Sequence, residues 1–304
     1  MPDAAPVRGL WCATLTPIAP EGGVDHARLA AHVRALLAQG VEGVAPFGTT
    51  GEGQSFSVAE RRAGLDALFA SGIAAMHIVA ATGCAALTDT LELTRHALSV
   101  GCPRCLILPP FFFKDVGDDA IFAYFAEVIE RIADPRLRIY LYHIPQVTAV
   151  PIRPPIVARL AGEFPGIIAG VKDSSGDLAN TLELLERVPQ LSILVGHEPH
   201  LPRAMRNGGA GTICGIANLY PGLVRALLRS GVMAHDEARI ASLLEILFSV
   251  PFLPAFKVLK AAQVDDAQWR AVRPPLVPLS RADREQVLNA LGAAGFGVIP
   301  AVAQ

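Results

Sequence analysis

Short apolar runs alternate along the chain with stretches whose apolar residues recur at helical spacing. The short runs are continuously apolar rather than alternating with polar residues, which is typical of parallel strands that are covered on both faces. The runs that predict strands are Leu10–Leu15, Val41–Phe47, Met76–Ala81, Arg104–Leu108, Leu137–Tyr142, Ile167–Lys172, Leu191–Val195 and Gly211–Gly215.

The segments between these runs carry start and stop signals of helices. Asp25 precedes apolar residues at positions 29, 33, 36 and 37, which share one helical face, and Gly40 ends that pattern. Ser57 and Glu60 have the spacing of a capping box, and Pro221 suits the first turn of a later helix. The sequence therefore predicts helices between the strands.

Eight strands that alternate with helices predict an α/β fold of the (β/α)8 TIM barrel type. A doubly wound open sheet is the alternative, but it usually has fewer strands. From Met233 onward the pattern is helical, with no further predicted strand. We therefore expect residues 1–232 to form the barrel and residues 233–304 to form a helical extension packed on it.

Composition narrows the range of functions and partners. The 304 residues carry a formal net charge of -2, so the strongly basic surface of a nucleic-acid-binding protein is not expected. The five cysteines are scattered and odd in number, unlike a secreted disulfide framework. No apolar run approaches the roughly 20 residues of a membrane span, and the first ten residues do not resemble a signal peptide. We expect a cytoplasmic protein without a nucleic-acid or membrane partner.

The site of a TIM barrel lies at the carboxyl ends of its strands, and Lys172 ends one of the predicted strands. The chain has only four lysines, and Lys172 follows the apolar run Ile167–Val171. An amine at such a strand end is desolvated and, when neutral, attacks carbonyl groups to form a Schiff base. The alternative is a structural lysine that extends its amine to solvent or is paired with the neighbouring Asp173.

Other strand ends add polar groups with weaker individual signals. The turn Gly48–Glu52 offers backbone N–H groups and two hydroxyl groups, which suit a small carboxylate, although it also fits a plain turn. Tyr142 is a candidate acid or base, with core packing as the alternative. The segment His197–His200 is one residue short of a zinc-binding HExxH pattern, so no metal is expected.

Taken in order, four segments resemble the dihydrodipicolinate synthase and N-acetylneuraminate lyase family. The matching segments are Gly48–Glu52, Tyr142–Pro145, Gly170–Gly176 and Gly211–Asn218. Their order and spacing fit, and the resemblance spans nearly the whole chain. It implies the barrel, the helical C-terminal extension and a homotetramer.

The resemblance also implies roles for individual residues. Lys172 would form a Schiff base with pyruvate or another 2-oxo acid, and Tyr142 would relay protons. Thr49 and Thr50 would bind the pyruvate carboxylate and orient Tyr142. No cofactor would be needed, because the protonated imine is the electron sink. Further contacts with the substrate are implied for Gly48, Ser174, Gly196 and Glu198 and for the backbone carbonyl of Ile213.

Two positions depart from the synthases of this family. Val147 stands where they usually carry an arginine for the second substrate's carboxylate, and Phe112 stands where they carry a tyrosine of the proton relay. We therefore expect a lyase or aldolase that acts on a sugar acid or a hydroxylated aldehyde. Dihydrodipicolinate synthase and a deoxy-sugar-acid dehydratase remain alternatives, as do a phosphosugar isomerase and a binding protein on a barrel that has lost its activity.

Overall fold

Eight parallel strands form a barrel in the computed structural model, which describes residues 5–229 and 231–297. An isolated parallel bridge between Val44 and Ile78 joins the second strand to the segment before the third, so the ring closes. The predicted TIM barrel is confirmed. The strands are β1 (Gly9–Ala13), β2 (Gly43–Ala45), β3 (Ala80–Ala81), β4 (Arg104–Ile107), β5 (Arg138–His143), β6 (Ile168–Asp173), β7 (Ser192–Val195) and β8 (Gly211–Cys214). Their spatial order is β2–β1–β8–β7–β6–β5–β4–β3.

All eight strands lie within or next to the predicted runs, and the third shows the largest difference. The apolar run predicts a strand from residue 76, but Ala75–His77 form a 3-10 turn and the strand begins at Ala80. Met76 is 65% exposed, so this apolar residue lies on the surface rather than in the sheet. The pairing with β2 continues only as a hydrogen bond from the backbone N–H of Val79 to the carbonyl of Val44, at 2.9 Å.

Helices follow the strands and cover the outside of the barrel. The carboxylate of Asp25 accepts from the N–H of Arg28, and Ser57 and Glu60 form the predicted capping box. Pro221 is the first residue of its helix, as predicted. The barrel helices are α1 (His26–Ala38), α2 (Val58–Ala70), α3 (Leu87–Ser99), α4 (Asp118–Ile132), α5 (Pro145–Thr148), α6 (Pro154–Glu163), α7 (Leu178–Arg187), α8 (Leu201–Arg206) and α9 (Pro221–Leu227).

Two layers of buried side chains lie on opposite sides of the strands. Alternation along each strand sends one set into the barrel and the next set into the layer beneath the helices. On β5, for example, Tyr140 and Tyr142 point inward, while Ile139 and Leu141 belong to the outer layer. Because side chains fill the barrel, only its carboxyl-terminal mouth is left for a ligand. The inner cluster also contains Val7, Trp11, Ala13, Ala45, Val79, Leu106, Ile144, Leu194, Ala210 and Ile213.

Three helices follow the barrel: α10 (Ala234–Phe248), α11 (Phe252–Gln263) and α12 (Arg281–Ala293). Helix α11 is buried over most of its length, and the side-chain amide of Gln263 donates to the carbonyl of Leu219 at 3.1 Å. The division of the chain into residues 1–232 and 233–304 stays a prediction. Residues 1–4, 230 and 298–304 of those ranges lie outside the described residues.

Within the described ranges, no single helix has the length and hydropathy to cross a membrane. Helices α10 and α11 meet that test only as a pair, with a bend of 109° between them.

Helix α11 carries a buried lysine without an acidic partner. Lys260 is 8% exposed, and its Nζ lies 5.8 Å from the centroid of a Trp269 ring. It forms no ion pair in the described part of the chain, so no acidic side chain there offsets the effect of burial. Burial lowers the pKa of Lys260 from 10.5 to about 8. Its charge adds to burial in lowering the pKa of His32 to about 3.

We expect the variant Lys260→Met to be more stable than the natural protein at pH 7, by about 3 kcal/mol, because each pKa unit corresponds to 1.36 kcal/mol. A lysine whose pKa is lowered on folding destabilises the fold fully below pH 8, and the penalty fades between pH 8 and 10.5. Thermal denaturation at pH 7 and at pH 10 measures the difference. An equal gain at both pH values, or a loss at pH 7, would contradict this account.

Candidate active site

The carboxyl ends of β2, β5 and β6 bring three of the predicted site residues together. The hydroxyl oxygens of Thr49 and Tyr142 are 3.1 Å apart, which is within hydrogen-bond distance. The register of β5 and β6 pairs Tyr142 with Lys172, and the Nζ of Lys172 lies 4.2 Å from the centroid of the tyrosine ring. A hydroxyl pair and an amine therefore share one end of the barrel.

Lys172 is 3% exposed, and Asp173 is not its partner. Adjacent residues of a strand point to opposite faces, so the carboxylate turns away from the amine. Both carboxylate oxygens are occupied, one by the N–H and hydroxyl of Ser175 and the other by the side chains of Asn180 and Thr181. Across residues 5–229 and 231–297, Nζ of Lys172 makes no hydrogen bond or ion pair. The alternative of a structural Lys172–Asp173 pair is therefore wrong.

The turn Gly48–Gly51 presents hydroxyl groups and backbone N–H groups at the mouth of the barrel. Phe47 and Glu52 on either side of it have positive φ angles of 58° and 54°, which residues with a Cβ adopt at a cost of about 1–3 kcal/mol. The N–H of Glu52 donates to the carbonyl of Thr49 at 3.1 Å, which closes the turn. Thr49 is half-buried and Thr50 is 8% exposed. The turn is therefore compact and its backbone is constrained.

Ser174 and Gly196 lie in contact. The N–H of Ser174 donates to the carbonyl of His143 at 2.8 Å, and the N–H of Gly196 donates to the carbonyl of Asp173 at 2.7 Å. A Cβ at position 196 would lie 1.9 Å from the Oγ of Ser174, so only glycine leaves room for that hydroxyl. The structure thus brings these two predicted substrate-binding residues together, and the absence of a side chain at Gly196 leaves room for the hydroxyl of Ser174.

Glu198 and Ile213 lie on the β7 and β8 side of the mouth. Ile213 is fully buried inside the barrel. The carboxylate of Glu198 accepts from the N–H of Ile216 at 3.4 Å and contacts Cys214. Burial raises the pKa of the Glu198 carboxyl group, and its hydrogen bonds with the backbone and with Cys214 oppose that shift. Contact of Glu198 and of the Ile213 carbonyl with a substrate stays a prediction.

Phe112 and Val147, the two departures from the synthase pattern, are both on the surface. Phe112 is 73% exposed, its ring lies 5.2 Å from that of the equally exposed Phe113, and Val147 is 57% exposed. Arg153 is the neighbouring arginine in sequence, and it forms an ion pair with Asp118 at 2.6 Å. Position 147 therefore offers no charge to a substrate carboxylate, and the neighbouring guanidinium is already paired.

Glu52, which follows the turn, forms a buried ion pair with Lys257 of α11. The sequence patterns described above did not predict this pair. The available signal was a lysine within the strongly apolar segment Phe252–Ala262, where a charge needs a partner. Its partner is 205 residues away in sequence, so the pairing was not visible in any local pattern.

No group of three or more His, Cys, Asp or Glu side chains in the described ranges is placed to hold a metal ion. The five cysteines are free and buried, and the rings of His197 and His200 lie 4.5 Å apart. Burial raises the pKa of Cys102 to about 11, which does not suit a redox-active thiol.

Comparison with known proteins adds an independent observation. The sequence profile of the dihydrodipicolinate synthetase family matches residues 6–294. The chain is 38% identical over 282 residues to a DapA-like lyase of Chloroflexus aurantiacus, covering 91% of this chain and 93% of that protein. A crystal structure of dihydrodipicolinate synthase from Agrobacterium tumefaciens is 40% identical to this chain, with a TM-score of 0.89. The match covers 95% of this chain and 99% of that structure.

A second solved structure was determined with a small molecule. It is a dihydrodipicolinate synthase from Acinetobacter baumannii in complex with pyruvate, 26% identical to this chain with a TM-score of 0.84. The match covers 95% of this chain and 99% of that structure.

Proposed function

The chain belongs to the dihydrodipicolinate synthetase family of pyruvate-dependent lyases and aldolases, and on that premise we propose that it makes or cleaves a carbon–carbon bond next to pyruvate through a Schiff base on Lys172. The observation that carries this proposal is the environment of Lys172. Its amine is buried at the mouth of the barrel, beside Tyr142, and no described residue pairs with it.

The reaction begins when the neutral amine of Lys172 attacks the keto carbon of pyruvate. The keto oxygen leaves as water with one proton of the amine and one further proton that is taken up, and the nitrogen keeps its other proton, so a protonated imine forms. Loss of a proton from the methyl group then gives an enamine. Its carbon attacks the carbonyl carbon of an aldehyde, the aldehyde oxygen takes up a proton to become a hydroxyl group, and the protonated imine forms again. Hydrolysis of the imine releases the product and restores the amine. Cleavage follows the same steps in reverse, and the imine nitrogen accepts the electron pair in place of a metal or an organic cofactor.

We propose that Tyr142 moves the protons of this reaction and that Thr49 orients it. The hydroxyl group of Tyr142 is 3.1 Å from that of Thr49, so one hydroxyl orients the other. A general acid or base must lie within hydrogen-bond reach of the proton that it moves, and the Tyr142 ring already flanks the amine. We assign proton transfer to Tyr142 and its orientation to Thr49.

We assign the carboxylate of pyruvate to the turn Gly48–Gly51. Successive backbone N–H groups of a turn and nearby hydroxyl groups bind anions well. Thr50 and Thr49 supply the hydroxyl groups, and Gly48 lets the backbone approach the ligand. The structure of the Acinetobacter baumannii relative with pyruvate supports this choice of substrate.

For the second substrate we propose a sugar acid or a hydroxylated aldehyde. Ser174, in the space left by Gly196, would hydrogen-bond the hydroxyl groups of this partner, and Glu198 and the Ile213 carbonyl would line the same side. The uncharged Val147 argues against a partner whose carboxylate must be held there. The alternative is condensation of pyruvate with aspartate semialdehyde, which is favoured by the 40% identity to a dihydrodipicolinate synthase.

We also propose that the protein is a homotetramer in the cytoplasm. Phe112 and Phe113 form an exposed aromatic pair, and exposed apolar patches of this kind are typical of protein interfaces. The free, buried cysteines fit a reducing compartment.

Borohydride reduction in the presence of pyruvate should attach a three-carbon adduct to Lys172. The reductant traps the imine as a stable secondary amine, and peptide mapping by mass spectrometry identifies the modified residue. Lys257 and Lys260 are internal controls, because both are buried lysines outside the mouth of the barrel. An adduct on either of them, or none on the folded protein, would overturn the mechanism and favour a binding protein or a different enzyme class.

The variant Tyr142→Phe should keep its fold and lose turnover by a factor of about 10²–10⁴, because general acid–base groups typically contribute that much. The substitution removes only the hydroxyl group, so the packing of the ring inside the barrel is retained. Steady-state rates with saturating pyruvate measure the effect, and circular dichroism checks the fold. Turnover within threefold of that of the natural protein would remove Tyr142 from the proton relay.

Neutral hydroxylated aldehydes should be better partners for pyruvate than aspartate semialdehyde. Valine at the exposed position 147 offers no charge-assisted hydrogen bond, of about 1.5–3 kcal/mol, to a substrate carboxylate, and each 1.36 kcal/mol is a factor of ten in rate. The comparison is kcat/KM for aspartate semialdehyde and for a panel of polyhydroxy aldehydes. A value for aspartate semialdehyde of about 10⁴ M⁻¹s⁻¹ or more would instead support the synthase. The variant Val147→Arg tests the cause, since it should improve aspartate semialdehyde alone.

A further inference from the structure

The C-terminal extension holds the carboxylate-binding turn through one buried carboxylate. Glu52 directly follows the turn, and its carboxylate forms an ion pair with Lys257 of α11, with both side chains fully buried. The other oxygen of Glu52 accepts from the backbone N–H of Arg273 at 2.9 Å. Lys257 in turn donates to the carbonyl of Ala271 at 2.7 Å. Two segments of the extension thus meet at the end of the turn.

Glu52 needs such support because its backbone has a positive φ of 54°. A residue with a Cβ keeps that conformation only where its surroundings enforce it. Glu52 is also bonded to the turn itself, because its N–H donates to the carbonyl of Thr49. Fixing the carboxylate of Glu52 therefore fixes the backbone that presents Thr49 and Thr50.

Two further contacts join the extension to the same region. A Cβ at Gly215 would lie 3.0 Å from a ring carbon of Phe256 and 3.2 Å from the hydroxyl of Thr50, so the Phe256 ring of α11 and the Thr50 side chain both lie beside Gly215, just after β8. The guanidinium group of Arg273 donates to the carbonyl of Ser55 at 2.9 Å and pairs with Glu60 at the start of α2. The extension thus lies near Thr50 of the turn and contacts the segment that follows the turn.

We propose that Lys257 is a positioning residue for pyruvate binding, acting through Glu52 on the hydroxyl and N–H groups of the turn Gly48–Gly51. This inference rests on the proposed function, since it takes that turn as the carboxylate site. A pair that only stabilised the fold would change the melting temperature when broken. A positioning pair also changes how much pyruvate is needed to occupy Lys172.

The test compares three variants by borohydride trapping of Lys172 over a range of pyruvate concentrations. Lys257→Met removes the charge with little loss of length. Glu52→Gln is a milder change that keeps an acceptor for the N–H of Arg273. Arg28→Met is the matched control, because Arg28 joins α1 to the extension by an ion pair with Asp266 at 2.9 Å and does not touch the turn.

We expect the pyruvate concentration for half-maximal trapping to rise at least tenfold in Lys257→Met and at least threefold in Glu52→Gln, and to stay within twofold in Arg28→Met. If Lys257→Met does not fold, the half-maximal concentration of Glu52→Gln tests the proposal. Half-maximal concentrations within twofold of that of the natural protein in the folded variants would overturn the proposal, even if the melting temperature falls.

Hydrogen exchange separates a failure of this inference from a failure of the proposed function. The N–H groups of Glu52, Gly53, Ser55 and Phe56 are hydrogen-bonded within this region, so peptides covering residues 47–56 report its order. They should exchange faster in Lys257→Met than in Arg28→Met. If pyruvate and borohydride do not modify Lys172 in the natural protein, the proposed function fails. If hydrogen exchange in residues 47–56 is the same in Lys257→Met as in Arg28→Met, the role of Lys257 is overturned, whatever the result of trapping.

Discussion

The register between β5 and β6 is the constraint on which the site depends. It sets Tyr142 beside Lys172, and the inward direction of both side chains follows from their positions on the two strands. A slip of one residue would turn the amine into the apolar layer beneath the helices and bring Asp173 into the mouth. The dense packing on both sides of the strands opposes such a slip, because it would place charged groups among buried apolar residues.

The parts of the structure that could be predicted from the sequence are those that leave a local pattern in it. The apolar runs, the capping pairs and the polar residues that end the strands are local patterns, and they placed Lys172, Tyr142 and Thr49 at one end of the barrel. Side chains of adjacent strand residues point to opposite faces, so Lys172 and Asp173 point apart although they are neighbours in sequence. The third strand was overestimated because hydropathy does not distinguish an exposed methionine from a buried one.

The contacts between distant segments were not accessible in this way. Glu52 and Lys257 meet because the fold brings α11 to the end of the turn that follows β2, and no short-range signal in the sequence records that arrangement. Likewise, the sequence shows a glycine at position 196 without showing that the hydroxyl of Ser174 occupies the space beside it. Local patterns therefore identified the residues to which we assign the reaction, whereas the residues that hold them in place became visible only in three dimensions.

The contact between Ser174 and Gly196 also restricts how these two positions can diverge. Any side chain introduced at position 196 would collide with the hydroxyl at position 174 unless that residue moved or became smaller first. The two positions are therefore not independent, and the order of substitutions matters: a change at 174 opens the way to a change at 196, whereas the reverse order passes through a strained intermediate. Selection for a new acceptor would accordingly find this pair of positions along one path more easily than along the other.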